Sequence, residues 1–411
     1  MSVINAFPGY SYEYWESDKT YHNMFRGEDV GKGGYVWAEP GMYGRTVTLD
    51  VSGMHPSSII ALNYFGEYTQ RYKDLIDTRA AIKHGDFDTA SKMFDGKLAK
   101  YLTDHNNAKS LSNALKIAQN SCYGLTSAKF DNPMKHPKNV NNIVALRGAL
   151  FMVTLKEEVI KRGGQPIHCK TDSIKLVEPT DELIEFVLDF GKKYGYSFEV
   201  EHTFKRICLV NKSTYVALLD DDDPDAPGQW TATAAQFAVP YVFKKLFSKE
   251  KIEFDDLCET KEVKTAMYLD MNENLVVNED AEKELAGRLK LGEDPEVKSD
   301  YIAYLDPTFM NVTTKELAAA VEKGHNRIFI GKVGQFCPIK PGCGGGVLLR
   351  QQNGKFDAVT GTKGYRWLES EMVRELGKEA DIDRSYYDKL VDDAVDTISK
   401  YGDFEMFVSE D

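Results

Sequence analysis

The chain contains no apolar run approaching the roughly 20 residues that cross a bilayer, which excludes a conventional membrane-spanning helix. Its first residues, Met1 to Tyr14, have neither the basic stretch nor the apolar core of a secretory leader. Cysteine is sparse. Six residues, at 122, 169, 208, 258, 337 and 343, are too scattered for a disulfide framework and point to reduced thiols in a cytosolic compartment. Only Cys337 and Cys343 lie close together, and a zinc site there would need two further ligands. Internal repeats and low-complexity tracts are absent. Positive charge is also short, with a formal net charge of −13. Net charge governs solubility and long-range steering, not local surfaces, so this deficit does not exclude a nucleic-acid partner.

What is present is an ordinary globular composition, 42% hydrophobic and 28% charged, over 411 residues. That length exceeds what one core organises and predicts two or three subdomains. Charge is segregated. Acids concentrate in Asp220 to Asp225, Asn272 to Asp300 and Glu369 to Asp411, whereas cations gather at Arg71 to Lys138, Lys156 to Arg162, Lys205 to Lys212 and Lys244 to Lys251. A basic cleft on an acidic body is compatible with this pattern. Thr46 to Val51 reads as a buried strand ending on an acid. Helical patterns follow over Glu67 to Lys83, Asp88 to Thr103 and Asn107 to Tyr123, the last two as an antiparallel pair. Val144 to Lys161 is another helix, stopped by Gly163-Gly164. Gln165 to Cys169 and Ser173 to Val177 form strands around a tight turn, and a helix over Asp181 to Tyr194 precedes strands at Ser197 to His202 and Arg206 to Leu219. This order predicts an α/β (α+β) sheet with a helical insertion. The acidic, proline-containing run from Asp220 to Gly228 reads as a linker.

Two carboxylates stand out by position. Asp50 ends an apolar strand, and Asp172 sits in the turn between two short strands. An acid in such a context either caps a neighbouring turn or is paired or metal-bound. Among the helices, Arg79 and Lys83 are spaced i, i+4, while Lys116, Asn120 and Tyr123 share one face and lead into Gly124. A solvated charged face is the common explanation for such a stripe, but the amide and aromatic beside the lysine fit it less well.

Taken in order, these segments resemble the motifs of family B DNA polymerases. Leu49-Asp-Val-Ser-Gly-Met-His-Pro-Ser-Ser-Ile-Ile is similar to motif A, D-x-x-S-L-Y-P-S. Lys116-Ile-Ala-Gln-Asn-Ser-Cys-Tyr-Gly matches motif B, K-x-x-x-N-S-x-Y-G, at every fixed position. Lys170-Thr-Asp-Ser resembles motif C, D-T-D-S, and Arg79 and Lys83 fit the R-x-x-x-K of the first fingers helix. Gly33-Gly34 resembles the glycine pair ahead of the family's palm. The motifs span roughly Gly31 to Leu219, and the run is more similar to phage members than to cellular ones.

The resemblance implies a right-hand polymerase fold with a ferredoxin-like palm, helical fingers and a mixed thumb. Residues 1–66 and 127–219 would form the palm, 67–126 the fingers and 220–411 the thumb. It implies template-directed DNA synthesis on primer–template DNA, with Asp50, the Val51 carbonyl and Asp172 holding two Mg²⁺ ions, or Mn²⁺ in their place. Arg79, Lys83 and Lys116 would neutralise the dNTP triphosphate, and Lys116 would protonate the departing pyrophosphate. Asn120, Tyr123 and Gly124 would line the nascent base pair. The setting implied is phage replication in the cytoplasm of a bacterial host, with no membrane partner.

Departures from the family pattern sharpen the expectations. His55 stands where motif A has the tyrosine that excludes the ribose 2′-hydroxyl; it either packs as tightly or relaxes sugar discrimination. Lys170 replaces the first aspartate of motif C, so it faces the primer terminus or solvent. The primer-gripping K-x-Y appears as Lys212-Ser-Thr-Tyr215, with the lysine one residue early. Only 49 residues precede Asp50, too few for a 3′–5′ exonuclease, so either proofreading falls to a separate exonuclease subunit or other replisome proteins, or the chain is a piece of a longer one. In the C-terminal part, the glycine-rich runs Gly331 to Gly346 and Gly361 to Trp367, with Lys332, Lys340, Lys363 and Arg366, suit duplex phosphates or form a structural hairpin. Two alternatives stay open: a primase-like, ribonucleotide-tolerant polymerase, and a catalytically degenerate DNA-binding scaffold.

Overall fold

The computed structural model describes residues 6–135, 139, 141–223, 225–271, 326–352 and 354–409, so the acidic stretch Asn272 to Asp300 lies outside the described residues. The chain is a mixed α+β protein that divides into two compact units, Met1–Thr231 and Ala232–Asp411. Among the described residues no helix is long and apolar enough to cross a membrane.

The first unit opens with a small antiparallel sheet of β1 (Tyr10–Trp15), β2 (Thr20–Phe25) and β3 (Glu28–Asp29). Its main sheet joins β4 (Val36–Ala38), β5 (Gly41–Tyr43), β6 (Thr46–Val51), β7 (Gln165–Lys170), β8 (Ser173–Val177), β9 (Phe198–Asn211), β10 (Thr214–Leu219) and β11 (Trp230–Ala232). The spatial order is β11-β10-β9-β6-β8-β7-β4, with β5 also on β9. The helices are α1 (Met54–Ala61), α2 (Thr69–Lys83), α3 (Phe87–Lys92), α4 (His105–Thr126), α5 (Ile143–Lys161) and α6 (Asp181–Lys193).

Alternation along β6 sorts its residues between two environments. Val47, Leu49 and Val51 enter the larger core with α5 and α6, whereas Thr46, Thr48 and Asp50 face the other side. Helix α5 is apolar nearly all round because it is buried nearly all round, from Val144 to Lys156. Its two buried cations are accommodated individually: Lys156 pairs with Glu28 and bonds the Tyr35 hydroxyl at 2.7 Å, and Arg147 donates to the Tyr194 carbonyl at 2.7 Å. Helix α6 is capped by Thr180, whose hydroxyl accepts from the Leu183 amide at 3.3 Å, with acids in its first turn and lysines in its last.

Three expectations change. The helix expected over Asp88 to Thr103 stops at Lys92, because Phe94 and Asp95 adopt left-handed backbone just before Gly96, where turn chemistry overrides helical periodicity. The antiparallel partner of α4 is therefore α2, joined by the Tyr72 hydroxyl donating to the Gln119 carbonyl at 3.2 Å. The break expected between His202 and Arg206 is absent: β9 runs unbroken from Phe198 to Asn211, and the chain turns into β10 at Lys212-Ser213, where Asn211 Oδ1 accepts the Ser213 amide at 2.9 Å. The acidic Asp220 to Gly228 run is no free linker. Buried Asp223 accepts from the Thr203 amide at 3.0 Å and from the Ala226 amide at 3.1 Å, tying the loop to β9, and the division between units falls at Thr231, within β11.

The second unit is built on a five-stranded antiparallel sheet of β12 (Glu259–Asp270), β13 (Arg327–Ile339), β14 (Val347–Gln352), β15 (Lys355–Ala358) and β16 (Arg366–Glu369), ordered β15-β14-β12-β13-β16. Trp367, Phe336, Met267 and Leu269 form its core with Tyr387 of α7 (Arg384–Ser399). Part of the glycine-rich run lies inside β13, and the rest turns through Gly342 to Gly346.

Candidate active site

The register of three neighbouring strands assembles a carboxylate cluster. Asp50 near the end of β6 lies opposite Ser173 of β8 on one side and Glu199 of β9 on the other. Asp172 precedes Ser173 in the β7–β8 turn, and its carbonyl accepts the Val51 amide at 2.9 Å. Between Leu49 and Thr48 the pairing with β9 jumps from Val200 to His202, leaving Glu201 as the extra residue of a β-bulge. Bulges re-aim side chains, and Glu201 joins the same electrostatic group as Asp50 and Asp172.

Burial raises the Asp50 pKa from an ordinary 3.8 to about 7, with Asp172, Glu201 and Glu199 adding to the rise and Lys175 opposing it. Burial also raises Asp172, against the pull of its own backbone amide, and Glu201 pushes further upward. Such crowding favours either a proton or a cation. In the folded state Asp50 retains a proton that the unfolded chain has already released between about pH 4 and about pH 7. Metal-free stability should therefore fall as pH rises through that window. Asp50→Asn should flatten the slope in urea unfolding; an unchanged slope would mean that Asp50 is not the group responsible.

The turn that presents Asp172 is strained and clamped. Thr171 has a φ of 57°, left-handed backbone that is uncommon for a β-branched residue. Its amide donates to the Tyr35 carbonyl at 2.8 Å, and its side chain lies directly over Gly34.

Of the cations expected to serve a triphosphate, Lys83 of α2 reaches the cluster, with Nζ 3.7 Å from Glu199 Oε1. Arg79, one turn earlier, has its Nε buried without a hydrogen-bond partner among the described residues. Lys116 and Asn120 of α4 are exposed, as is Gly124, where an added Cβ would meet nothing within 4 Å. His55 stacks on Tyr123 with ring centroids 3.9 Å apart at 15°, and the Tyr123 hydroxyl accepts from Asn142 Nδ2 at 3.2 Å. Burial lowers the His55 pKa and leaves Nδ1 without a partner among the described residues, consistent with a neutral ring packed on the tyrosine.

The remaining expected contacts are dispersed. Lys170 is exposed at the end of β7. The Lys212 carbonyl accepts from His168 Nε2 at 3.1 Å, and its side chain is exposed. Tyr215 packs near Phe204, its ring centroid 5.2 Å from Lys175 Nζ. Lys363 and Arg366 belong to the second unit, where the Arg366 guanidinium donates to the Gly344 and Gly345 carbonyls and so holds the glycine-rich turn.

Sequence reasoning missed Glu199, Glu201 and Lys175. The Glu-Val-Glu spacing at 199–201 was readable as a strand with two same-face acids, but only the bulge and register bring it beside Asp50. Lys175 alternates with two buried apolar residues in β8 and lies 6% exposed on the face shared with Thr48.

Asp50 and Asp172 offer hard oxygen donors in a crowded, partly buried setting, which suits a divalent cation that keeps several waters. Among the described residues no three His, Cys, Asp or Glu side chains converge as a ready-made cage.

No protein-family model and no curated protein matches this chain. Among solved structures, its fold is similar to that of the family B DNA polymerase from the hyperthermophilic archaeon Pyrobaculum calidifontis. The TM-score is 0.41 and the identity 13%, covering 89% of this chain and 46% of that one, so this chain spans about half its length.

Proposed function

We propose that the chain is a template-directed DNA polymerase that extends a primer 3′-hydroxyl with dNTPs. The observation that carries this reading is the meeting of Asp50, on β6, and Asp172, in the adjoining β7–β8 turn, in one half-buried, charge-crowded cluster. Two Mg²⁺ ions held there would activate the 3′-hydroxyl and stabilise charge at the α-phosphate. Asp50 and Asp172 orient the reacting oxygens, with the Val51 carbonyl as a further donor. Lys83, Arg79 and Lys116 draw the triphosphate toward the cluster. Lys83 would exchange its long contact with Glu199 for that ligand. Lys116 supplies the proton to pyrophosphate, while Asn120, Tyr123 and Gly124 face the nascent pair. Lys170, Lys212, Tyr215, Lys363 and Arg366 are assigned to primer–template DNA. In this reading residues 1–66 and 127–219 act as palm, 67–126 as fingers and 220–411 as thumb.

The test is extension of a labelled primer on a template with dNTPs and Mg²⁺. Template-dependent products support the reading; tight primer–template binding without extension would favour a scaffold.

The stack of His55 on Tyr123 bears on sugar selection, because two rings in contact make a stiffer wall than either alone. His55→Ala should raise rNTP relative to dNTP incorporation by about 10-fold or more, the selectivity scale of a lost packing contact. Single-nucleotide kinetics read the ratio. An unchanged ratio would remove His55 from the sugar pocket and leave ribonucleotide tolerance to other residues.

A further inference from the structure

Lys175 is a buried cation without an ion pair of its own among the described residues. Its Nζ donates to Thr48 Oγ1 at 3.0 Å, a neutral partner, and lies 5.4 Å and 5.2 Å from the ring centroids of Phe204 and Tyr215. A charge taken from water with one hydroxyl for company is unstable unless a negative field compensates it. That field is at hand. Thr48 and Asp50 are two residues apart on one face of β6, and Glu201 enters from the bulge in β9. Burial lowers the Lys175 pKa to about 8, Glu201 and Asp50 push back in favour of the charged ammonium, and the Lys170 ammonium opposes it.

We propose that Lys175 is the resident counter-cation of the carboxylate cluster, a positioning residue that holds Asp50 and Glu201 against mutual repulsion and against which divalent metals compete. The inference rests on the metal-holding reading of Asp50 and Asp172. The sign of its effect follows from charge. Removing the ammonium makes Asp50 harder to ionise, which lets a proton compete better for that carboxylate. A divalent ion at the same place feels the ammonium about twice as strongly as a proton does, so relief of its repulsion outweighs the added proton competition. Loss of Lys175 must therefore tighten metal binding, whereas a residue needed only for packing would leave affinity unchanged or weaken it.

The experiment is Mn²⁺ titration of the full chain at neutral pH, read by the free-ion electron paramagnetic resonance signal, without DNA or nucleotide. Lys175→Met keeps the aliphatic volume and removes the charge. Lys175→Gln keeps a donor for Thr48 and guards against a packing failure. Both should bind Mn²⁺ on the order of three- to tenfold more tightly than the parent chain, matching up to about one pKa unit of coupling. Asp172→Asn should bind it at least about tenfold more weakly. Unchanged or weaker binding in both Lys175 variants, with Asp172→Asn still impaired, overturns the counter-cation and leaves the metal reading intact. Unchanged binding in Asp172→Asn overturns the metal reading and this inference with it.

Discussion

Asp172→Ala should reduce primer extension on the order of 10³-fold or more while leaving the fold and primer–template affinity in place. The reason is local. The backbone of the Asp172 turn is held from both sides, by the Thr171 amide on the Tyr35 carbonyl at 2.8 Å and by the Val51 amide on the Asp172 carbonyl at 2.9 Å. Neither bond uses the carboxylate, so truncation removes a charge and a hard oxygen donor without releasing the turn. The side chain is raised in pKa by burial and by Glu201, a position that costs stability when ionised. The metal-free variant should therefore melt no lower than the parent. Asp50→Ala should behave alike in extension. A folded Asp172→Ala protein that keeps more than about a tenth of the parent rate would be incompatible with two-metal chemistry at this cluster. Calorimetry on the same samples separates that result from misfolding.

Local patterning explains why part of this was legible beforehand. Strand β6, the β7–β8 hairpin and helices α4 and α5 follow from alternation, helical periodicity and glycine stops, which act over a few residues. Asp50 and Asp172 were identifiable because each interrupts an apolar pattern beside a turn. The rest depends on register. Alternation alone puts Glu199 and Glu201 on one face, but only the register of β9 against β6, with Asp50 opposite Glu199, brings that face to the Asp50 side. Lys175 falls where alternation in β8 calls for a polar side chain, and its burial near Phe204 and Tyr215 depends on β9 and β10, which lie beyond β6 in the sheet. The expected helix over Asp88 to Thr103 broke because left-handed backbone at Phe94 and Asp95, ahead of Gly96, outweighed good helix formers on either side. Arg366 reads in sequence as a free cation beside glycines; in the fold those glycines' carbonyls occupy its guanidinium.

Gly34→Ala is the second large effect, and it works through shape instead of charge. A Cβ at Gly34 would sit 2.4 Å from Thr171 Oγ1, 2.5 Å from Cγ2 and 2.7 Å from Cβ. Rotating the threonine moves the first two atoms but not the third, so the Thr171–Asp172 backbone must give way. That backbone has little slack, being already left-handed at Thr171 and bonded on both flanks. A shift of several tenths of an ångström would carry Asp172 away from Asp50, and misplacement on that scale costs about 10²-fold in rate. The overpacking should also cost about 1–3 kcal/mol of stability. Thr171→Gly removes both the clashing side chain and the strain of a threonine in left-handed backbone. The double variant Gly34→Ala/Thr171→Gly should therefore recover most of the extension rate lost by Gly34→Ala alone, a coupling that a double-mutant cycle reads directly. Simple additivity of the two substitutions would mean that Gly34 matters for some reason other than its approach to the Asp172 turn.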